Sequence, residues 1–251
     1  MSGRHAALLL LMVITSVAAQ WTASLSLQVE GGAVPTLGNV GSSGLRLWLD
    51  SSETATLGLS PRVRFWFDKS GERRHLTPLA SGAAPYATVV STRAQLIFED
   101  NGLVLAQPIA LNSMTAFFVV RGASDTGYHP LFGKADRATG IVIDARRLRA
   151  INGGGSVLSG IIGSINTNAI VMIRMNSAGT DYASINGGTE YSFSFSSSES
   201  ATHLGAIYSS TGLRYLRASL SEVVVWDRAL TASERTGVLR ALGTKWGITV
   251  P

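Results

Sequence analysis

Hydrophobic positions along this chain repeat mostly with a period of two. Trp21–Val29 alternates strictly, with Trp21, Ala23, Leu25, Leu27 and Val29 on one face and Thr22, Ser24, Ser26 and Gln28 on the other, which predicts a half-buried strand. Val223–Trp226 is an unbroken apolar run, predicting a strand covered on both faces. Leu45–Asp50, Val63–Asp68, Gln95–Phe98, Thr115–Arg121, Pro130–Gly133, Gly140–Ala145, Ala169–Met175, Asp181–Asn186 and His203–Ile207 are further strand candidates. Asn186-Gly187 supplies a positive-φ turn after Asp181. Tyr191, Phe193 and Phe195 alternate with serines, so that strand keeps one face wet. The one clear helical stretch comes last. Thr231 with Glu234 three residues on has the spacing of a capping box, Leu239, Leu242 and Trp246 follow on one face, and Gly243 and Gly247 are candidate stops. The pattern predicts an all-β fold, a two-sheet antiparallel jelly-roll sandwich with a short C-terminal helix. Trp48, Trp226 and Trp246 are expected in the core, while Trp66 shares a face with Arg64 and Asp68.

Composition agrees. With 45% hydrophobic and 15% charged residues, the 251-residue chain can bury a large core and is poor material for disorder. The absence of cysteine excludes disulfides and thiol chemistry. A net charge of +5 allows a preference for acidic polysaccharide. Nucleic acid is not expected as a partner, because Arg73-Arg74 and Arg146-Arg147-x-Arg149 are short and not interleaved with aromatics.

Three segments are expected. Residues 1–20 carry Arg4 and His5, then an apolar run from Ala6 to Ile14, then Val17-Ala18-Ala19 before Gln20. This reads as a secretory signal peptide or, alternatively, an apolar segment retained in an assembly. The run is too short for a stable transmembrane anchor. Residues 21–44 hold the alternating strand and a Gly/Ser-rich linker, Gly31–Gly44; such a strand packs on its own domain or is donated to a neighbour. Residues 45–251 form the jelly-roll domain.

Within Leu220–Ile248, the residues Leu220, Glu222, Val223, Val225, Trp226, Asp227, Arg228, Ala229 and Leu230 are followed by Thr231, Glu234, Arg235 and then Lys245, Trp246 and Gly247. This resembles the C-terminal signature of the concanavalin A-like lectin/glucanase superfamily, in its laminin-G-like jelly-roll branch: a strand (I/L)-x-E-V-x-V-(Y/W)-D-R-A-L, then S/T-x-x-E-R, then a helix ending K-W-G. Leu45–Asp50 and Val63–Gly71 are similar to the family's first third, L-x-x-W-L-D and V-x-x-W-x-D-K-S-G. The chain departs from it at Glu72 and Arg73, where the family usually has Asn-Gly. The resemblance covers about Leu45–Ile248, strongest at its two ends. It implies glycan binding without catalysis, by an extracellular module, secreted or on a virion surface, present in repeated copies or a larger assembly. Two alternatives stay open: a structural assembly module of a virion, tail or filament, and a divergent glycoside hydrolase.

The residue inventory bears on these classes. Glycosidases on this fold place acids as E-x-D-x-(x)-E on one strand face, and that triplet is missing. Glu99-Asp100 are adjacent, Glu222 and Asp227 are five apart, and Asp50 and Glu53 straddle a turn. His5, His75, His129 and His203 are scattered, with no G-x-S-x-G elbow or H-E-x-x-H spacing. Many relatives bind calcium, and Asp68 and Glu222 are the positions to try. The competing reading has Asp68 capping its own turn and Glu222 paired with an arginine. For sugar, the candidate is the loop Gly122–Pro130, carrying Asp125, Tyr128 and His129; an ordinary polar loop is the alternative.

Overall fold

The computed structural model describes residues 37–251 except 39, 54–56, 61, 80–83, 91–92, 124–125, 153–154, 162, 164, 178 and 196–197. Residues 1–20 and the strand expected at Trp21–Val29 lie outside them, as does Asp125. All described residues belong to the unit Pro35–Pro251.

The described strands, numbered in chain order, form two large antiparallel sheets. The first runs Tyr191–Phe193 (β15), Asp181–Ile185 (β14), Ala169–Met175 (β13), Met114–Arg121 (β8), Ala218–Trp226 (β19), Arg93–Phe98 (β6) and Tyr86–Val90 (β5). Strand β6 pairs with only the start of β19, and Leu45–Asp50 (β1) pairs with its remainder. The second sheet runs Gly155–Ile161 (β12), Arg147–Asn152 (β11), Thr139–Asp144 (β10), Tyr128–Gly133 (β9), Ser200–Leu204 (β16), Leu103–Ala110 (β7), Leu76–Pro78 (β4), Arg62–Trp66 (β3) and Leu57–Ser60 (β2). A separate hairpin, Ala206–Ser209 (β17) with Gly212–Tyr215 (β18), lies against β9. This is the expected all-β sandwich with a C-terminal helix, Ala232–Trp246 (α1).

Between the sheets lies one apolar core, to which Leu47, Leu49, Trp66, Phe118, Phe132, Val223 and Val225 contribute fully buried side chains. Alternation sends the neighbours Trp48, Phe117, Val224 and Trp226 to the outer face of the first sheet, where they are buried as well. Helix α1 covers that face with Val238, Leu239, Leu242 and Trp246. A 15-residue helix is marginal by itself, so this packing stabilises it. Each fully buried Leu or Val contributes roughly 1.5–3 kcal/mol.

The capping box is present. Thr231 Oγ1 accepts from the Glu234 amide at 3.3 Å, and Glu234 Oε2 accepts from the Thr231 amide at 2.8 Å. Gly247 closes the helix with φ 66°, and its N–H reaches the Gly243 carbonyl. Gly243 is not a stop, as expected from the sequence, but a close-approach site inside the helix. A Cβ there would lie 2.8 Å from the Ile248 carbonyl oxygen, where the chain turns back.

Two other expectations need correction. Trp66 does not share a face with Arg64: the β2–β3 register skips Arg64, so this one-residue bulge points Val63 and Trp66 inward and leaves Arg64 and Phe65 exposed. The end of the expected linker is packed rather than free, since Leu37 and Val40 are buried and the Gly41 carbonyl accepts from Trp226 Nε1. Arg73, where the family has Gly, keeps a left-handed φ of 56°, at a cost of roughly 1–2 kcal/mol for a side-chain-bearing residue.

The cap makes a pH prediction. The Arg228 guanidinium, then the Thr231 amide, hold the Glu234 carboxyl down from 4.5 to about 2. A folded-state value below the unfolded one stabilises at high pH, so the contribution is complete above about 4.5 and is lost as pH falls towards about 2. Glu234→Gln keeps a capping side chain but loses the charge. It should be less stable than the parent at pH 7, with the gap closing between those two values in urea melts from pH 7 to pH 2.

Candidate functional site

The signature residues named above come from both ends of the chain, and the fold brings them together. Asp50 and Glu222 are cross-strand partners on β1 and β19. Both are buried, 1% and 0% exposed, and Lys245 Nζ stands 2.7 Å from an oxygen of each. The two carboxylates therefore lie within twice that distance of one another. Lys69 Nζ adds a contact to Asp50 at 3.0 Å and one to Glu53. Glu222 accepts from the indole N–H of Trp48 at 2.8 Å through Oε1 and from that of Trp246 at 2.6 Å through Oε2. Burial pushes the Glu222 carboxyl up, and the Asp50 charge adds to this, against Lys245 and Trp246. Burial acts on Asp50 in the same direction, but Lys245, Ser52 and Lys69 overcome it and hold that group below its ordinary value.

Two carboxylates this close, pushed apart in pKa, have the form of an acid–base pair. Sequence reading missed them because they sit on different strands far apart in the chain. Their surroundings oppose substrate chemistry: the Lys245 ammonium occupies the place between them that a scissile bond would need, and the two indoles hold Glu222 from either side.

Calcium does not fit the two candidate ligands. Both oxygens of Asp68 are already taken. Oδ1 accepts from the amides of Trp48 and Ser70, each at 2.9 Å, and Oδ2 accepts from the Ser70 hydroxyl at 2.8 Å and the Arg74 amide at 3.0 Å. Asp68 thus caps its own turn. Glu222 faces an ammonium and two N–H groups, a donor set that repels a cation, and its partner is Lys245 rather than an arginine. No cluster of three or more metal-ligating side chains occurs among the described residues.

Tyr128 and His129 stand elsewhere. The sequence places them in a loop, but they begin β9, where they pair with Asp144 and Ile143 of β10. Their side chains leave opposite faces of the strand, Tyr128 half-buried and His129 buried. Both line a cleft of about 670 Å³. Its other walls are Asp100 and Gly127 and, from the β17–β18 hairpin and its exit, Thr211, Leu213, Arg214, Tyr215 and Arg217. Arg217 directs Nε and Nη2 to Asp100 Oδ1, at 3.2 and 2.8 Å. Burial pushes the Tyr128 phenol up, against the nearby Arg149 and Arg214 charges and with Asp144 adding to the rise. Tyr215, Arg214, Arg217 and Asp100 were not read from the sequence. For the first three, the signal was the turn at Thr211-Gly212 followed closely by Arg214, Tyr215 and Arg217.

The hairpin seats closely on the sheet because Gly133 leaves room for it. A Cβ on Gly133 would stand 2.5 Å from the Ala206 carbonyl oxygen and 2.8 Å from Ile207 Cβ. Ile207 is fully buried with Val142 and Ile151, and Tyr128 packs on the same cluster.

No family model matches the chain, and no curated protein matches it. Solved structures share its fold. Domain 4 of AbnA, a GH43 extracellular arabinanase from Geobacillus stearothermophilus, in complex with arabinotriose, aligns over 78% of this chain and 98% of its own with 14% identity and a TM-score of 0.57. Trypanosoma rangeli sialidase in complex with the inhibitor DANA aligns over 94% of this chain at 15% identity, TM-score 0.52; the chain spans only 39% of its length. The botulinum neurotoxin type G receptor binding domain aligns over 80% of this chain and 52% of its own, at 15% identity and TM-score 0.53. At these identities the likeness establishes the β-sandwich fold. No helix among the described residues is long and apolar enough to cross a membrane.

Two outcomes follow for the buried cluster. Lys245→Met removes the ammonium shared by two buried carboxylates and should cost about 3–5 kcal/mol in urea unfolding; a loss under about 1 kcal/mol would contradict the assigned role. Chelation with EDTA should leave the melting temperature unchanged, whereas a calcium-loaded fold would melt earlier once the ion is removed.

Proposed function

We propose that this chain is a non-catalytic carbohydrate-binding module whose site is the cleft between Tyr128 and Tyr215. The observation that carries the reading is the make-up of that cleft. Two tyrosines offer apolar faces for a sugar ring, and Arg214, Arg217, Asp100 and Thr211 offer donors and acceptors for its substituents. Asp100 is the one carboxylate among the described residues lining it, and Arg217 holds it, so a second acid for glycosidic cleavage is missing from those walls. The resemblance of Leu45–Asp50 and Leu220–Ile248 to laminin-G-like members of the concanavalin A-like superfamily supports the same reading. So do the neighbours in fold, one of which is described with bound arabinotriose and another as a receptor-binding domain. An extracellular setting, secreted or on a virion surface, and display in repeated copies suit a shallow, weak sugar site that gains from multivalency.

A second reading, a structural assembly module, draws on apolar side chains left exposed on each of the two sheets. Val89 on the edge strand β5 is 68% exposed, and Phe65 stacks openly beside Phe67 with ring centroids 6.0 Å apart.

A glycan array paired with a reducing-sugar assay separates the classes. Binding without sugar release is expected, and Tyr128→Ala should weaken it by about tenfold, with circular dichroism at the assay temperature showing the fold retained. Sugar release would make the protein a glycosidase. Silence in both assays would leave the assembly module as the better account.

A further inference from the structure

We infer that the Tyr128–Tyr215 cleft is one end of a trough for an extended acidic polysaccharide, a chain carrying carboxylate or sulfate groups. The inference rests on the glycan-binding reading above and adds to it a length, a charge and a second set of residues.

Two more hollows continue the cleft. The first, of about 500 Å³, lies where β6, β8 and β19 end together, with Ile97, Glu99, Arg121 and Ser219 in its walls. It shares Asp100 and Arg217 with the cleft. The second, of about 570 Å³, is bounded by Arg121, Thr167, Asn168, Asn186 and the tail Gly247–Thr249. It shares Arg121 with the first. Register explains the continuity. Arg121 pairs with Ser219, Asn168 directly precedes β13, Asn186 directly follows β14, and Asp100 follows β6, so all of these residues lie at the same end of the first sheet. Each hollow alone has the volume of a small-ligand site; joined through shared walls, they suit several units of one chain.

Charge along the trough selects acidic units. Arg214, Arg217 and Arg121 stand in that order. Arg217 is matched by Asp100, and Glu99 accepts from the Tyr86 hydroxyl at 3.1 Å. Among the described residues, Arg214 reaches the Thr211 hydroxyl, at 3.3 Å, and neither Arg214 nor Arg121 makes an ion pair. Among the described residues these two guanidinium groups have no carboxylate partner, and a planar guanidinium binds carboxylate or sulfate through paired N–H donors. Beyond Arg121, the described walls of the far hollow are uncharged and polar. Asn186 Oδ1 accepts from the Ile170 amide at 2.7 Å, which fixes the amide's orientation and leaves its NH₂ for a ligand. Hydroxyl-bearing sugars suit that end, whereas a nucleic acid would call for stacking aromatics along the whole path.

The test is calorimetry on the full chain with dimers, tetramers, hexamers and octamers of galacturonate, hyaluronan and chondroitin sulfate. Methyl-esterified galacturonate oligomers and single-stranded DNA of matched charge serve as comparators. At least one acidic series should gain about tenfold in affinity from dimer to hexamer and lose it as salt rises from about 50 to 300 mM. Arg121→Ala should lower hexamer affinity about tenfold more than dimer affinity, and Arg121→Lys should restore part of the difference, with melting temperatures matching the parent in both variants. Affinity independent of length, equal binding of the methyl ester or of DNA, or an Arg121→Ala profile like the parent's would overturn the trough. If glycans still bind and Tyr128→Ala still weakens them, the single-cleft reading survives that loss. Binding of no glycan at all would remove both.

Discussion

The fold depends on one buried carboxylate. Glu222, in the middle of β19, is fully enclosed, and that is tolerable only because the Trp48 indole, the Trp246 indole and the Lys245 ammonium all point at it. Those partners come from the first strand of the described unit and the last turn of its helix. A single side chain thereby sets where β1 lies against β19 and where α1 comes to rest on the outer face. The apolar residues of that face favour burial in general but not one position of the helix along the sheet. Directional bonds to Glu222 supply the position.

This arrangement also explains why a motif can be long and specific without marking a ligand site. Leu-Trp-Leu-Asp at Leu47–Asp50, Asp-Lys-Ser-Gly at Asp68–Gly71, Glu222 and Lys245-Trp246 form one connected network with its turn cap. Their constraint is structural. The cleft is assembled instead from residues outside the motifs, on a hairpin and on strand ends, where substitution leaves the network untouched.

Much of the fold was legible. Period-two strands, the capping box at Thr231 and Glu234, the Asn186-Gly187 turn and the doubly buried run Val223–Trp226 are local patterns, and local patterns survive in a single sequence. What escaped was of two kinds. A bulge changes face without changing composition, so Arg64 hid the inward turn of Trp66. Pairing across long separations is also invisible: nothing near Asp50 announces Glu222, and nothing near Tyr128 announces Tyr215. Even the start of β9 was misplaced, because the partner that extends it to Tyr128 is Asp144, in the next strand.

The seat of the β17–β18 hairpin on Gly133 has a consequence for how this protein could change its preferences. The base of the hairpin is locked by a backbone approach that only glycine permits and by Ile207 beneath it, while its tip, with Thr211 and Leu213, lines the cleft. Anchorage and recognition are thus separated by only a few residues along one ribbon. The tip can be rewritten residue by residue, by natural variation or by library selection, on a frame that stays fixed. On the glycan-binding reading proposed for the cleft, new preferences are reachable here in small steps, and each step spares the core.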